Sequence, residues 1–168
     1  AESYQYHPQN RDELIKLLRD ENINLSDIDT SKVTNMAWIF SDGDKESCEY
    51  IKNNISKWID LKSCMNTAGS RKNFKGIGTW NVSNVTTMEG MFAWGRNEFN
   101  ENINSWNVSK VTNMGYMFAG TSAFNQPLDK WDTSSVENMN YMFGEANSFM
   151  QKLDSWNVQN VKTMELMF

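Results

Sequence analysis

Trp106-Asn107-Val108-Ser109-Lys110-Val111-Thr112-Asn113-Met114-Gly115-Tyr116-Met117-Phe118 returns through the chain with few changes. Trp80 to Phe92 reads Trp-Asn-Val-Ser-Asn-Val-Thr-Thr-Met-Glu-Gly-Met-Phe, Trp131 to Phe143 reads Trp-Asp-Thr-Ser-Ser-Val-Glu-Asn-Met-Asn-Tyr-Met-Phe, and Trp156 to Phe168 ends the chain on the same pattern. A degenerate copy runs from Ile28 to Phe40, with Ile28 in the Trp place and Ile39 in the place of the second Met. The tryptophans at 80, 106, 131 and 156 lie about 25 residues apart, and a fixed period in that range marks a repeat array. Upstream of each Trp lies a second shared segment, Phe99 to Ile103, Phe124 to Leu128 and Phe149 to Leu153. Ile51 to Ile55 before Trp58 fits it, and Phe74 to Ile77 fits with one residue deleted.

All nine Phe fall in template positions, and of the eleven Met only Met65 and Met150 lie outside the two Met columns. A side chain that recurs at one place in successive units stacks on its own copies, so these columns are expected to be inward rows. Ile103, Trp106, Val108 and Val111 have the i, i+3, i+5, i+8 spacing of a leucine-rich repeat, which puts a short strand around Trp-x-Val. Val111 to Met114 reads as a second short strand, and Met114, Met117 and Phe118 at i, i+3, i+4 read as a helical turn. The expected fold is a leucine-rich-repeat-like β-solenoid of short parallel strands and helical turns, with an N-terminal capping helix. Residues 1–26 form the lead-in and that helix, and residues 27–168 form about six coils anchored at Ile28, Trp58, Trp80, Trp106, Trp131 and Trp156. Asn10 is the N-cap, Asp12 and Glu13 put acids in the first turn, and Leu14, Ile15, Leu17 and Leu18 recur at helical spacing. Phe168 is the last residue of a unit with no polar closing segment, so the array is expected to be truncated there and its uncapped C-terminal coil to favour self-association.

With 16 basic against 21 acidic residues, the net charge is −5 and neither a basic stripe nor a basic tail exists, which argues against nucleic acid as a partner. No apolar run approaches the roughly 20 residues that span a bilayer, so no membrane insertion is expected in this segment. Cys48 and Cys64 are the two cysteines, with no third thiol or His near enough to complete a zinc site. Two readings stay open for them: a pair of thiols, or a disulfide closing the intervening loop if the protein is exported.

The search for chemistry finds no enzyme. His7 is the sole histidine, and no Gly-x-Ser-x-Gly elbow accompanies it. Asp42, Asp44, Glu46 and Glu49 lack the loop pattern of a calcium site and read as a solvated acidic stretch, and no cofactor or metal is expected. The column Asn35, Thr87, Asn113, Asn138 and Thr163 reads as a hydrogen-bonding ladder at a corner. The outward columns remain. Asn81, Asn107, Asp132 and Asn157 follow the Trp row and alternate away from the core. Trp38, Tyr116 and Tyr141, in one column with Gly90 and Leu166, and Trp94 in a nearby loop, are candidate binding residues because exposed aromatics give large contact area at low entropic cost. They serve equally as covers for the gaps between turns.

The repeated Trp-Asn/Asp-Val/Thr-Ser-x-Val-Thr-x-Met-x-x-Met-Phe, with Phe-Asn-x-x-Leu/Ile before it, resembles the repeats of the BspA-like leucine-rich-repeat surface proteins of bacteria. The resemblance runs from Ile28 to Phe168; Cys48 to Ser70 and Thr133-Ser134-Ser135 depart from it. It implies a secreted or cell-surface location, and a non-enzymatic recognition or adhesion module that binds a protein or glycan, host-derived molecules among them, through one face. The alternative is a structural spacer without a ligand of its own.

Overall fold

The computed structural model describes residues 3–95 and 98–168. The first element, α1 (Arg11–Leu18), starts where Asn10 accepts a hydrogen bond from the Glu13 N–H, as an N-cap should, and it buries Arg11, Leu14, Ile15 and Leu18. Its C-terminal carbonyls are met from far along the sequence by buried Arg71. That guanidinium donates from Nη1 to Leu18 O at 3.1 Å and Asp20 O at 2.8 Å, and from Nη2 to Ile23 O at 2.7 Å. A cation on those orphan carbonyls satisfies them and opposes the negative end of the helix dipole.

Beyond α1 the expected leucine-rich-repeat β-solenoid does not form. Among the described residues there is no strand and no sheet; parallel pairing is reduced to isolated bridges, Asn35 to Thr87 to Asn113 to Asn138 to Thr163, with one more between Tyr6 and Ile28. The reason lies in the spacing. Within one unit the backbone closes four-residue turns in succession: Trp106 N to Ile103 O, Val111 N to Val108 O, Met117 N to Met114 O, Ala119 N to Tyr116 O, Thr121 N to Phe118 O and Phe124 N to Thr121 O. Apolar residues three apart are therefore the closing residues of turns, and a chain that turns this often cannot hold the extended conformation of a strand. The Met-x-x-Met-Phe block is likewise a pair of turns and not a helical turn.

Each unit still lies on the next. Met88 N donates to Asn113 O at 2.9 Å, Gly90 N to Gly115 O at 2.9 Å and Phe92 N to Met117 O at 2.9 Å, and the same three bonds recur from Met114, Tyr116 and Phe118 to the following unit. The polar column sits at the bridges as expected. Asn35, Asn113 and Asn138 each accept on Oδ1 from the N–H two residues on. Inside, the aromatic rows stack face to face. Trp80, Trp106, Trp131 and Trp156 follow one another with centroids 6.5, 6.5 and 6.2 Å apart and planes within 4 to 6°. Phe40, Phe92, Phe118, Phe143 and Phe168 form a second file. Each core indole donates from Nε1 to a carbonyl of an earlier unit: Trp80 to Leu25, Trp106 to Ile77, Trp131 to Ile103 and Trp156 to Leu128. Tryptophan suits the position because it fills the core and also satisfies a buried acceptor.

One expected coil is missing from the stack. The bridge from Asn35 passes directly to Thr87, and Trp58, expected to anchor a unit, is half exposed and outside the tryptophan row. The intervening residues form two helices, α2 (Lys45–Asn54) and α3 (Leu61–Met65), capped by Asp44 and Asp60. Cys48 and Cys64 join them through a disulfide, which resolves the alternative left open by the sequence. Ala68 N returns to Ile39 O at 2.7 Å, so the insertion leaves and rejoins the stack at one unit.

Replacing Trp106 by Ala is expected to lower the unfolding free energy by about 3–5 kcal/mol through cavity formation. Trp106→Phe is expected to cost less, about 1–2 kcal/mol, because an aromatic ring remains and Ile77 O keeps the Trp80 N–H while losing the indole bond. Urea denaturation of both variants measures the difference.

Candidate functional site

The column that holds the candidate aromatics has a left-handed backbone in every unit: φ is 61° at Trp38, 60° at Gly90, 61° at Tyr116, 54° at Tyr141 and 51° at Leu166. A parallel column repeats it at Trp94 (48°), Gly120 (68°) and Glu145 (60°). Bulky residues avoid this region, and such outliers gather at functional sites. The two glycines show what the aromatic rings need. A Cβ on Gly90 would lie 2.2 Å from Trp38 Cδ2, and one on Gly120 would lie 2.4 Å from Trp94 Cδ1. Each indole thus lies flat over a glycine of another unit, where any other residue would displace it.

The structure brings Trp38, Trp94, Tyr116 and Tyr141 together. Trp38 and Trp94 stack 6.5 Å apart at 17°, Tyr116 and Tyr141 stack 5.1 Å apart at 16°, and Trp94 lies 5.9 Å from Tyr116 and 6.4 Å from Tyr141. Exposure differs along the file. Trp38 is fully buried, packed in a second core with Cys48, Ile51, Ile59 and Cys64 of the insertion, so it supports the surface but does not present itself. Trp94 is 37% exposed, and the two tyrosines are half-buried.

Carboxylates that the sequence reading did not single out hold the rings. Glu89, buried, accepts from Trp38 Nε1 at 3.2 Å on one oxygen and from Trp58 Nε1 at 3.0 Å on the other, with the Asn113 amide also donating to it. Glu145 accepts from Trp94 Nε1 at 3.1 Å. Beside Trp94, residues Glu46, Ser47, Tyr50 and Ile51 of α2 complete a cleft of about 360 Å³. Burial first, then the nearby Tyr50, Tyr141, Glu89 and Glu165, push the Tyr116 phenol above its ordinary value, so it stays a neutral donor. Tyr50 carries no signal in the repeat because α2 lies outside the period, and Glu89, inside the period, takes one of its partners, Trp58, from the insertion.

Asn81, Asn107, Asp132 and Asn157 are exposed, and their side chains also bond the backbone. Each accepts on Oδ1 from the N–H two residues on, at Ser83, Ser109, Ser134 and Gln159. These are Asx turns that start the Val-Val corner, and the bonds from Ser134 hold the Asp132 carboxyl below its usual range. Among the described residues, no three His, Cys, Asp or Glu side chains are placed to hold a metal, and no helix is long and apolar enough to cross a membrane.

Gly120→Ala is expected to force Trp94 off its seat and raise its exposure, read as increased acrylamide quenching of tryptophan fluorescence and a loss of about 1–3 kcal/mol in stability. A Cβ on Gly43 would meet Cys64 O, Thr67 and Met65 O and no tryptophan, and Gly43→Ala is expected to leave the quenching unchanged even where it destabilises.

No curated protein and no solved structure matches the chain. Nothing in the comparisons ties it to the BspA-like proteins, and the family that is found, being of unknown function, lends no support to adhesion. Over residues 12–69 and 59–168 the sequence matches the pattern described as Mycoplasma protein of unknown function, DUF285, and the chain belongs to that family.

Proposed function

We propose that this chain is a non-enzymatic recognition module that binds a protein or glycan through the face carrying Trp94, Tyr116 and Tyr141. The observation that carries the reading is the strained, stacked aromatic file beside the cleft of α2. Left-handed backbone is free at Gly90 and Gly120 but costs free energy at Trp38, Trp94, Tyr116 and Tyr141 in the same columns, so the turn itself does not call for an aromatic there. Partly exposed Trp and Tyr with a rim of carboxylates is the composition of a binding surface, offering ring faces for stacking and acceptors for hydroxyl or amide donors. The disulfide between Cys48 and Cys64 supports a secreted or surface location, because such bonds persist in oxidising compartments.

A spacer without a ligand is the competing reading, and one experiment separates the two. Immobilised protein is exposed to a glycan array and to host-cell extract, beside the double variant Tyr116→Ala/Tyr141→Ala. Capture by the wild type, reduced at least about tenfold in the folded double variant, is the expected result, since clustered aromatics dominate interface energies. Equal capture by both proteins removes the aromatic face from the binding, and capture by neither favours the spacer.

A further inference from the structure

The seven tryptophans fall into two chemical groups. The four in the core donate to backbone carbonyls, whereas the three outside it donate to carboxylates: Trp38 and Trp58 to Glu89, and Trp94 to Glu145. An anion at the indole N–H pushes electron density onto the ring and deepens the negative potential over its face. That field attracts a cation and gains little from a neutral ligand. Trp94, 37% exposed, lines the cleft together with Tyr50, 62% exposed, an apolar wall at Ile51, and Glu46 and Ser47. Among the described residues, none that lines it is basic.

The lining also discriminates among cations. A primary ammonium or guanidinium gives up strong hydration on entry and needs several hydrogen-bond acceptors in return, and beside two rings and an isoleucine side chain the described lining offers only the Glu46 carboxylate and the Ser47 hydroxyl, which is bonded to Asp44. A methylated ammonium carries its charge on C–H groups, loses less hydration and packs its methyls on ring faces. We propose that the cleft between α2 and Trp94 binds a quaternary ammonium group of the choline type, held by the faces of Trp94 and Tyr50 with Glu46 and Glu145 supplying the opposing charge. The assignment rests on the recognition reading above and names the chemical group it takes.

The test uses the full chain with its disulfide intact, titrated with choline chloride, with the uncharged isostere 3,3-dimethylbutan-1-ol and with N-acetylarginine amide, and followed by tryptophan fluorescence and calorimetry. Saturable choline binding is expected, with the isostere at least about tenfold weaker. Tyr50→Ala, at an exposed helix position, and Glu145→Gln, which keeps an acceptor for the indole, are each expected to weaken choline about three- to tenfold with unchanged thermal unfolding. Equal binding of the isostere, tighter binding of the arginine derivative, no saturable choline binding, or unchanged affinity in both variants would overturn the proposal. If choline fails while Tyr116- and Tyr141-dependent capture of a protein or glycan persists, this inference falls and the recognition reading stands; if both fail, both fall.

Discussion

A chain that turns repeatedly leaves many backbone polar groups between the turns without a partner in their own unit, and the structure depends on those groups meeting their counterparts in the next unit. The bonds from Met88, Gly90 and Phe92 to Asn113, Gly115 and Met117, repeated one unit on, are that meeting. They require each unit to follow the same path as its neighbour, and this is why the sequence repeats so closely. The core indoles add a second donor to the carbonyls of Leu25, Ile77, Ile103 and Leu128, each of which already closes a backbone turn, and so give their own buried N–H groups an acceptor. Burying those indole donors unpaired would cost on the order of 1–3 kcal/mol each.

The same constraint explains the outer face. Turns that bring the chain back over the methionine rows pass through left-handed positions, and there the side chains project across the neighbouring unit. Where the neighbour is glycine, as at Gly90 and Gly120, an indole lies down over it. Where tyrosines succeed one another, as at Tyr116 and Tyr141, they stack. The insertion then covers the first indole and builds one wall beside the second. The candidate surface is thus a by-product of the turn geometry, sharpened by a non-repeating segment.

The inward rows are legible in the sequence because burial follows the recurrence of residue type: Trp80 to Trp156 and the Phe and Met columns are inward as their period puts them, apart from Met164 and Phe168 of the last unit, which are exposed. The backbone is not. Three-residue apolar spacing is shared by the corners of leucine-rich repeats and by consecutive turns, and side-chain periodicity does not distinguish φ at Trp-x-Val from φ in a turn. Trp58 misled for a related reason. Ile51, Ile55 and Trp58 fit the template by type, but in α2 and its exit they face the outer layer and not the core. Tyr116 and Tyr141 are picked out by their column and Trp94 only as an aromatic in a nearby loop, while the Asx turns of the asparagine column leave no trace in the alternation of residue type. Glu89 is invisible to periodicity, since its partners come from two other units and the insertion.

Because each unit bonds chiefly to the ones beside it, the stack has a mechanical character that a globular core lacks. Tension on the last unit loads only its own contacts, so force would peel units away in sequence, each release resembling the one before. The disulfide sets a different limit at the other end. Its loop cannot be drawn out beyond Cys48 and Cys64, so the helical insertion would survive as a closed knot of chain after the turns around it had been pulled straight.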